Sequence, residues 1–186
     1  LSGVDISPQL PPAMAGQLRL AEARGALPDR ALWDRALLAR LRTMGEPDFA
    51  ALPDISEGLE NRLYRATRTA KSPEALLADA KTKRYSHARL RRVLLAAMLG
   101  LPAGLSAAAP PYLRVLGFTP RGAEILSAAK ATRTLPLSPS LAELAQTGET
   151  AARFAGLEAR AADLYHAFTP GLAPCGSEYT TPLLKL

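Results

Sequence analysis

Ten of the 32 residues from Asn61 to Arg92 are basic: Arg62, Arg65, Arg68, Lys71, Lys81, Lys83, Arg84, Arg89, Arg91 and Arg92. Only Glu74 and Asp79 oppose them, so this stretch carries +8 while the whole chain carries +6. The basic character is therefore local. The chemistry such a density suits is the binding of a polyanion, because nucleic-acid affinity comes mainly from phosphates met by Lys and Arg. Arg outnumbers Lys seven to three here, and its planar fork suits bidentate phosphate contacts. Tyr64 and Tyr85 lie inside the stretch and are of the type that stacks on unpaired bases. The same residues also fit a solvated basic face, or arginines paired with acids elsewhere in the fold.

No catalytic constellation accompanies the cations. The sequence contains no glycine-rich phosphate loop, no HExxH and no GxSxG. His87 stands at a helix start among cations and reads as a surface residue; His166, beside Tyr165, reads as a packing residue. Glu57 and Glu60 lie where a helix N-terminus favours acids. One cysteine, Cys175, and two histidines exclude an internal disulfide and make a structural zinc site implausible. No catalytic residue and no metal ligand is assigned. With a lone cysteine, a reducing, cytoplasmic setting is the simplest reading.

The elements that must position the basic residues are helical. Apolar content is 48%, aromatics are 5%, and Ala and Leu dominate, which favours packed helices over a sandwich. The spacing predicts helices over about 12–24, 29–43, 56–70, 72–80, 86–99, 119–131, 140–147 and 149–168, with a short turn at 47–52. Asp29, Ser72, Ser86 and Ser140 are the expected caps. In the third long helix Leu59, Leu63, Ala66 and Ala70 fall within about 60° of one another at about 100° per residue, opposite Asn61, Arg65 and Arg68. Leu101–Pro111 reads as a loop with a short helix in its Ala run. Tyr112–Phe118 is the best strand-like run. The fold class expected is all-α, mainly helical with at most one or two very short strands, in a multi-helix domain. Residues 1–12 are expected to be a linker or arm from a missing N-terminal domain, 13–168 the helical domain and 169–186 an irregular tail. The opening lacks an initiator Met and reads as part of something longer. No apolar run approaches the roughly 20 residues that span a bilayer, so no membrane partner is expected.

Three ordered runs then carry a resemblance: EGLENRL (Glu57–Leu63), KTKRYSHARLRRVLLAAMLG (Lys81–Gly100) and YLRVLGFTPRG (Tyr112–Gly122). Together with LPPAM at Leu10–Met14 and the Thr180-Thr181-Pro182 tail, they resemble the C-terminal region of the bacterial tRNA(Met) cytidine acetate ligase family, a HIGH-type nucleotidyltransferase family. Ser86-His87 departs mildly from its pattern. The resemblance implies a two-part enzyme. Its Rossmann-like N-terminal domain, with an HxGH-type motif, uses ATP to make acetyl-adenylate, and the wobble cytidine of elongator tRNA(Met) becomes 4-acetylcytidine. It implies further that this domain is absent here, that ATP belongs to it and no cofactor to this chain, and that this chain alone is not catalytic. The implied partners are tRNA and the N-terminal nucleotidyltransferase domain of the same protein. The residues expected to face tRNA are Arg62, Arg65, Lys81, Lys83, Arg84, Arg89 and Arg92. A general nucleic-acid-binding module, or a helical domain docking an acidic partner domain, are the alternatives.

Overall fold

A computed structural model of the chain describes residues 7–105 and 109–185. The first six residues of the expected arm, and residues 106–108 of the Ala run read as a short helix, lie outside the described residues. The chain divides into two compact units: Leu1–Ala107 with Tyr165–Leu172, and Ala108–Leu164 with Ala173–Leu186.

The first unit is helical: α1 (Pro12–Ala23), α2 (Arg30–Arg42), α3 (Glu46–Ala50), α4 (Leu59–Thr69), α5 (Pro73–Ala80) and α6 (His87–Leu99). Its starts follow from local chemistry. Asp29 accepts from the Ala31 amide at 2.7 Å, Ser72 from Ala75 at 3.1 Å and Ser86 from Arg89 at 3.3 Å, each meeting an amide that the first helical turn leaves unpaired. Gly100 ends α6 with φ of 65°, the left-handed cap that glycine adopts without strain. The apolar stripe of α4 is buried as the spacing predicts: Leu59 and Leu63 are fully enclosed, with Ala66 and Ala70 beside them. They meet Leu37, Leu38 and Leu41 from α2, Phe49 from α3, Leu76 and Leu77 from α5, and Leu90, Val93 and Leu94 from α6 in one apolar core. Trp33 stands edge-on to Phe168 with ring centroids 5.2 Å apart.

Helix α4 starts at Leu59 rather than near Ser56. Asp54, Glu57 and Gly58 hold φ of 62°, 59° and 82°, and left-handed residues cannot continue a right-handed helix.

The second unit holds β1 (Leu113–Arg114), β2 (Gly117–Phe118), α7 (Pro120–Ala129), β3 (Leu137–Ser138), α8 (Leu141–Ala145), most of α9 (Glu149–Ala167) and β4 (Leu184–Lys185). Strand β1 runs parallel to β3, Leu113 opposite Leu137. Strand β2 runs parallel to β4, Gly117 opposite Leu184. Gly117 suits that approach, since a Cβ there would stand 3.0 Å from the Leu184 carbonyl oxygen. The unit's core is Tyr112, Leu141 and Leu144 on the small face of α9 formed by Ala151, Ala155 and Ala159.

These pairings overturn the all-α expectation. The described residues contain four strands, not one or two, in two parallel pairs, and each pair is joined through helices. Parallel strands with helical crossovers make the fold α/β. Two-residue strands are too short to leave a period-two pattern, and a parallel partner lies far away in sequence, so no local signal announces them.

Candidate nucleic-acid interface

The basic stretch comprises α4, α5, the connector 81–86 and the start of α6. Two of its arginines cap other helices. Arg62 on α4 donates from Nε to the Ala80 carbonyl at 2.9 Å and from Nη2 to the Asp79 carbonyl at 2.7 Å. These are end carbonyls of α5, where a cation meets both unpaired acceptors and the negative helix end. Arg68 does the same for α2, reaching the carbonyls of Arg42 at 2.9 Å and Leu41 at 3.0 Å. Its guanidinium also lies 4.8 Å from the Tyr64 ring centroid.

The connector and α6 grip the left-handed loop ahead of α4. Arg89 puts Nε and Nη2 on the Asp54 carbonyl at 3.0 and 2.7 Å, with Nη2 also 2.7 Å from Ser56 Oγ. Arg92 pairs with the Asp54 carboxylate at 3.1 Å, and Arg84 with Glu57 at 2.9 Å. Tyr85 donates its hydroxyl to the Glu57 carbonyl at 2.8 Å. The left-handed residues Asp54 and Glu57 are thus held through their own carbonyls, which stabilises a backbone that costs free energy by itself.

The seven residues expected to face tRNA therefore divide. Arg62, Arg84, Arg89 and Arg92 hold groups of the protein; Arg65, Lys81 and Lys83 are exposed and have no partner among the described residues. The paired arginines are not thereby closed to an anion. Arg84 and Arg92 remain about two-thirds exposed, at 65% and 63%, and exposed ion pairs contribute little net stability. Tyr85 is buried under the Arg89 guanidinium and offers no free ring face for stacking, while Tyr64 is half-buried with Arg68 over one face of its ring. His87 is half-buried, with Nδ1 enclosed and unbonded among the described residues, rather than a surface side chain.

A recess of about 390 Å3 opens beside α4. Arg62, Arg65 and Ala66 line one side, with Glu57, Gly58, Tyr85 and Asp79 around them. Asp79 went unnoticed as a site residue in the sequence; its available signal was an acid at the end of a short helix among cations. The recess does not fit a nucleoside triphosphate. Arg65 is the lining guanidinium without a protein partner, too little to balance the several charges of a triphosphate, and no glycine-rich loop is present. No step through ATP is assigned to it. Among the described residues no group of three or more His, Cys, Asp or Glu is placed to hold a metal, and no helix is long and apolar enough to cross a membrane.

The third motif run has a structural role in the second unit. Arg114 of β1 pairs through Nη1 with Glu158 at 3.1 Å and Glu178 at 2.7 Å. The Tyr112 hydroxyl donates to the other oxygen of Glu158 at 2.6 Å. Burial first, then the Glu158 hydrogen bond and charge, push the Tyr112 phenol well above its usual value. Tyr112 and Arg114 thus tie β1 to α9 and to the turn at Ser177–Tyr179.

The chain is 30% identical over 135 residues to the tRNA(Met) cytidine acetate ligase of Thermoanaerobacter sp. (strain X514), covering 72% of this chain and 33% of that protein. It is 32% identical over 146 residues to the one from Syntrophotalea carbinolica, covering 76% and 35%. The chain thus spans about a third of the length of these curated relatives. The crystal structure of Thermotoga maritima TmcAL bound with alpha-thio ATP superposes with a TM-score of 0.85 at 23% identity, over 95% of this chain and 47% of that one. The apo form of the same protein gives 0.74 at 24% identity, over 82% and 40%. These likenesses concern the fold, and they agree with α/β rather than a separate all-α domain. A family model described as HIGH Nucleotidyl Transferase matches residues 3–177. That span corrects the expectation of a helical region standing behind the nucleotidyltransferase part and partnered by a separate N-terminal domain: these residues lie within what the family model describes. With nearly its whole length matched, the chain belongs to the HIGH nucleotidyl transferase family.

Proposed function

We propose that this chain presents the basic face of α4, the 81–86 connector and α6 to tRNA, as part of a ligase of the tRNA(Met) cytidine acetate ligase kind. The reaction is ATP-dependent formation of acetyl-adenylate, followed by acetylation of the wobble cytidine to 4-acetylcytidine, in the cytoplasm. One observation carries the tRNA reading: Arg65, Lys81 and Lys83 are exposed and, among the described residues, unpartnered in the stretch where the fold has already met its own needs with Arg62, Arg68 and Arg89. Cations that serve no internal acceptor remain available to phosphate. Arg84 and Arg92 flank them in surface pairs that phosphate oxygens can replace. The names of the relatives supply tRNA(Met), cytidine and acetate ligation, the alpha-thio ATP complex of the solved relative supplies the nucleotide, and the acetyl-adenylate and wobble position follow from the family resemblance.

The test is binding of elongator tRNA(Met) across a salt series. The combined change Arg65→Gln, Lys81→Ala and Lys83→Ala should weaken binding at least about tenfold. It should also flatten the log–log salt slope by roughly 0.7–0.9 for each phosphate no longer neutralised. Unchanged affinity and slope would remove the face. Equal affinity for tRNA and random duplex DNA would favour a general nucleic-acid module. No tRNA binding at low salt would favour a domain that docks an acidic partner.

A further inference from the structure

Asp79 is the acid of the basic stretch whose carboxylate the fold does not use. It lies in the last turn of α5, where the negative helix end disfavours a carboxylate. No hydrogen bond or ion pair engages its carboxylate among the described residues; Arg62 takes its main-chain carbonyl instead. The other acid of the basic stretch, Glu74, is held by Arg30, and Glu57 by Arg84. Asp79 nonetheless lines the recess beside α4 together with Arg65.

An ionised carboxylate only accepts hydrogen bonds, so whatever it meets must donate. Arg65 in the same recess is a fork of donors, unpartnered among the described residues, that calls for an anion. A group bearing both a hydroxyl donor and an adjacent anionic oxygen satisfies the two together, and a ribose with its phosphate is such a group. The recess, at about 390 Å3, is within the size range of small-ligand sites. The 2′-hydroxyl is the donor that separates RNA from DNA. We infer that Asp79 accepts the 2′-hydroxyl of one unpaired nucleotide whose phosphate lies at Arg65, and so makes this face select RNA over DNA. Asp79 is a specificity-determining residue in this account, and the inference rests on the tRNA-facing reading above.

Fluorescence anisotropy with the full chain tests it, using an RNA stem–loop with an unpaired loop of about seven nucleotides, the DNA stem–loop of the same sequence, and free CMP as competitor. The unmodified protein should prefer the RNA. Asp79→Ala should cut the RNA-to-DNA preference about tenfold, the worth of one hydrogen bond to a charged acceptor, without weakening DNA binding. Arg65→Gln should weaken both nucleic acids and leave their ratio unchanged. Asp79→Asn retains an acceptor oxygen and should keep part of the preference; it is read in place of Asp79→Ala if melting shows the latter unfolded. Persisting RNA binding with an unchanged ratio in both Asp79 variants overturns the Asp79 inference alone. Binding of neither nucleic acid by the unmodified protein overturns the basic-face reading itself. Displacement of the RNA by CMP at comparable concentration overturns the assignment to an RNA unit and makes the recess a free-nucleotide site.

Discussion

Arg89 places two guanidinium nitrogens on the single carbonyl oxygen of Asp54, at 3.0 and 2.7 Å, and Asp54 is a left-handed residue at φ of 62°. A side chain that sequence alone assigns to nucleic acid thus holds the backbone turn in front of α4. Arg89→Ala should destabilise the protein by about 1–3 kcal/mol, because the charge-assisted hydrogen bonds to Asp54 and Ser56 disappear. Lys83→Ala, with no partner to lose among the described residues, should fall within about 0.5 kcal/mol of the unmodified protein. Urea midpoints separate the two, and equal midpoints would mean that the grip on Asp54 contributes nothing.

The stripe of α4 makes a second expectation. Leu63 is fully enclosed, and its truncation to Ala removes apolar packing and leaves a cavity. A loss of about 2–5 kcal/mol follows. Thermal melting by circular dichroism checks it, and an unshifted midpoint would contradict the buried stripe.

Gly117 is placed by a different constraint. Its Cβ would meet the Leu184 carbonyl at 3.0 Å and the Leu184 Cβ at 3.1 Å, so Gly117→Ala must push β2 and β4 apart. Gly117 and Leu184 are both exposed, so the pair can yield by a few tenths of an ångström, and a destabilisation of up to about 1 kcal/mol is expected. Amide exchange should rise at Leu184, which donates to the Leu116 carbonyl at 3.3 Å. Unchanged protection at Leu184 would show that the pair tolerates a methyl group.

Tyr112 sets a pH limit. Its phenol is raised above its unfolded value near 10 by burial and by Glu158. The neutral form is therefore favoured more in the folded state than in the unfolded one. This contribution is complete below about pH 10 and is lost as pH rises above it. Stability should fall with pH in the alkaline range, and Tyr112→Phe should flatten that fall. Parallel curves for the two proteins would place the alkaline sensitivity elsewhere.

Much of this molecule was legible in the chain itself. Asp29, Ser72, Ser86 and Ser140 cap their helices because capping needs only residues within one turn. The Leu59–Leu63–Ala66 stripe is buried because helical periodicity is a local property. Three ordered motif runs pointed to a nucleotidyltransferase family whose model covers residues 3–177. Tertiary structure decided the rest. It gave Arg62, Arg84, Arg89 and Arg92 partners in the protein, because an arginine's long side chain reaches acceptors that are distant in sequence and nothing local fixes which. It turned Tyr85 inward, brought Asp79 and Arg65 to one recess, and paired two-residue strands in parallel across helical crossovers. Each of these depends on which distant backbone comes near, and that is settled only when the core has packed.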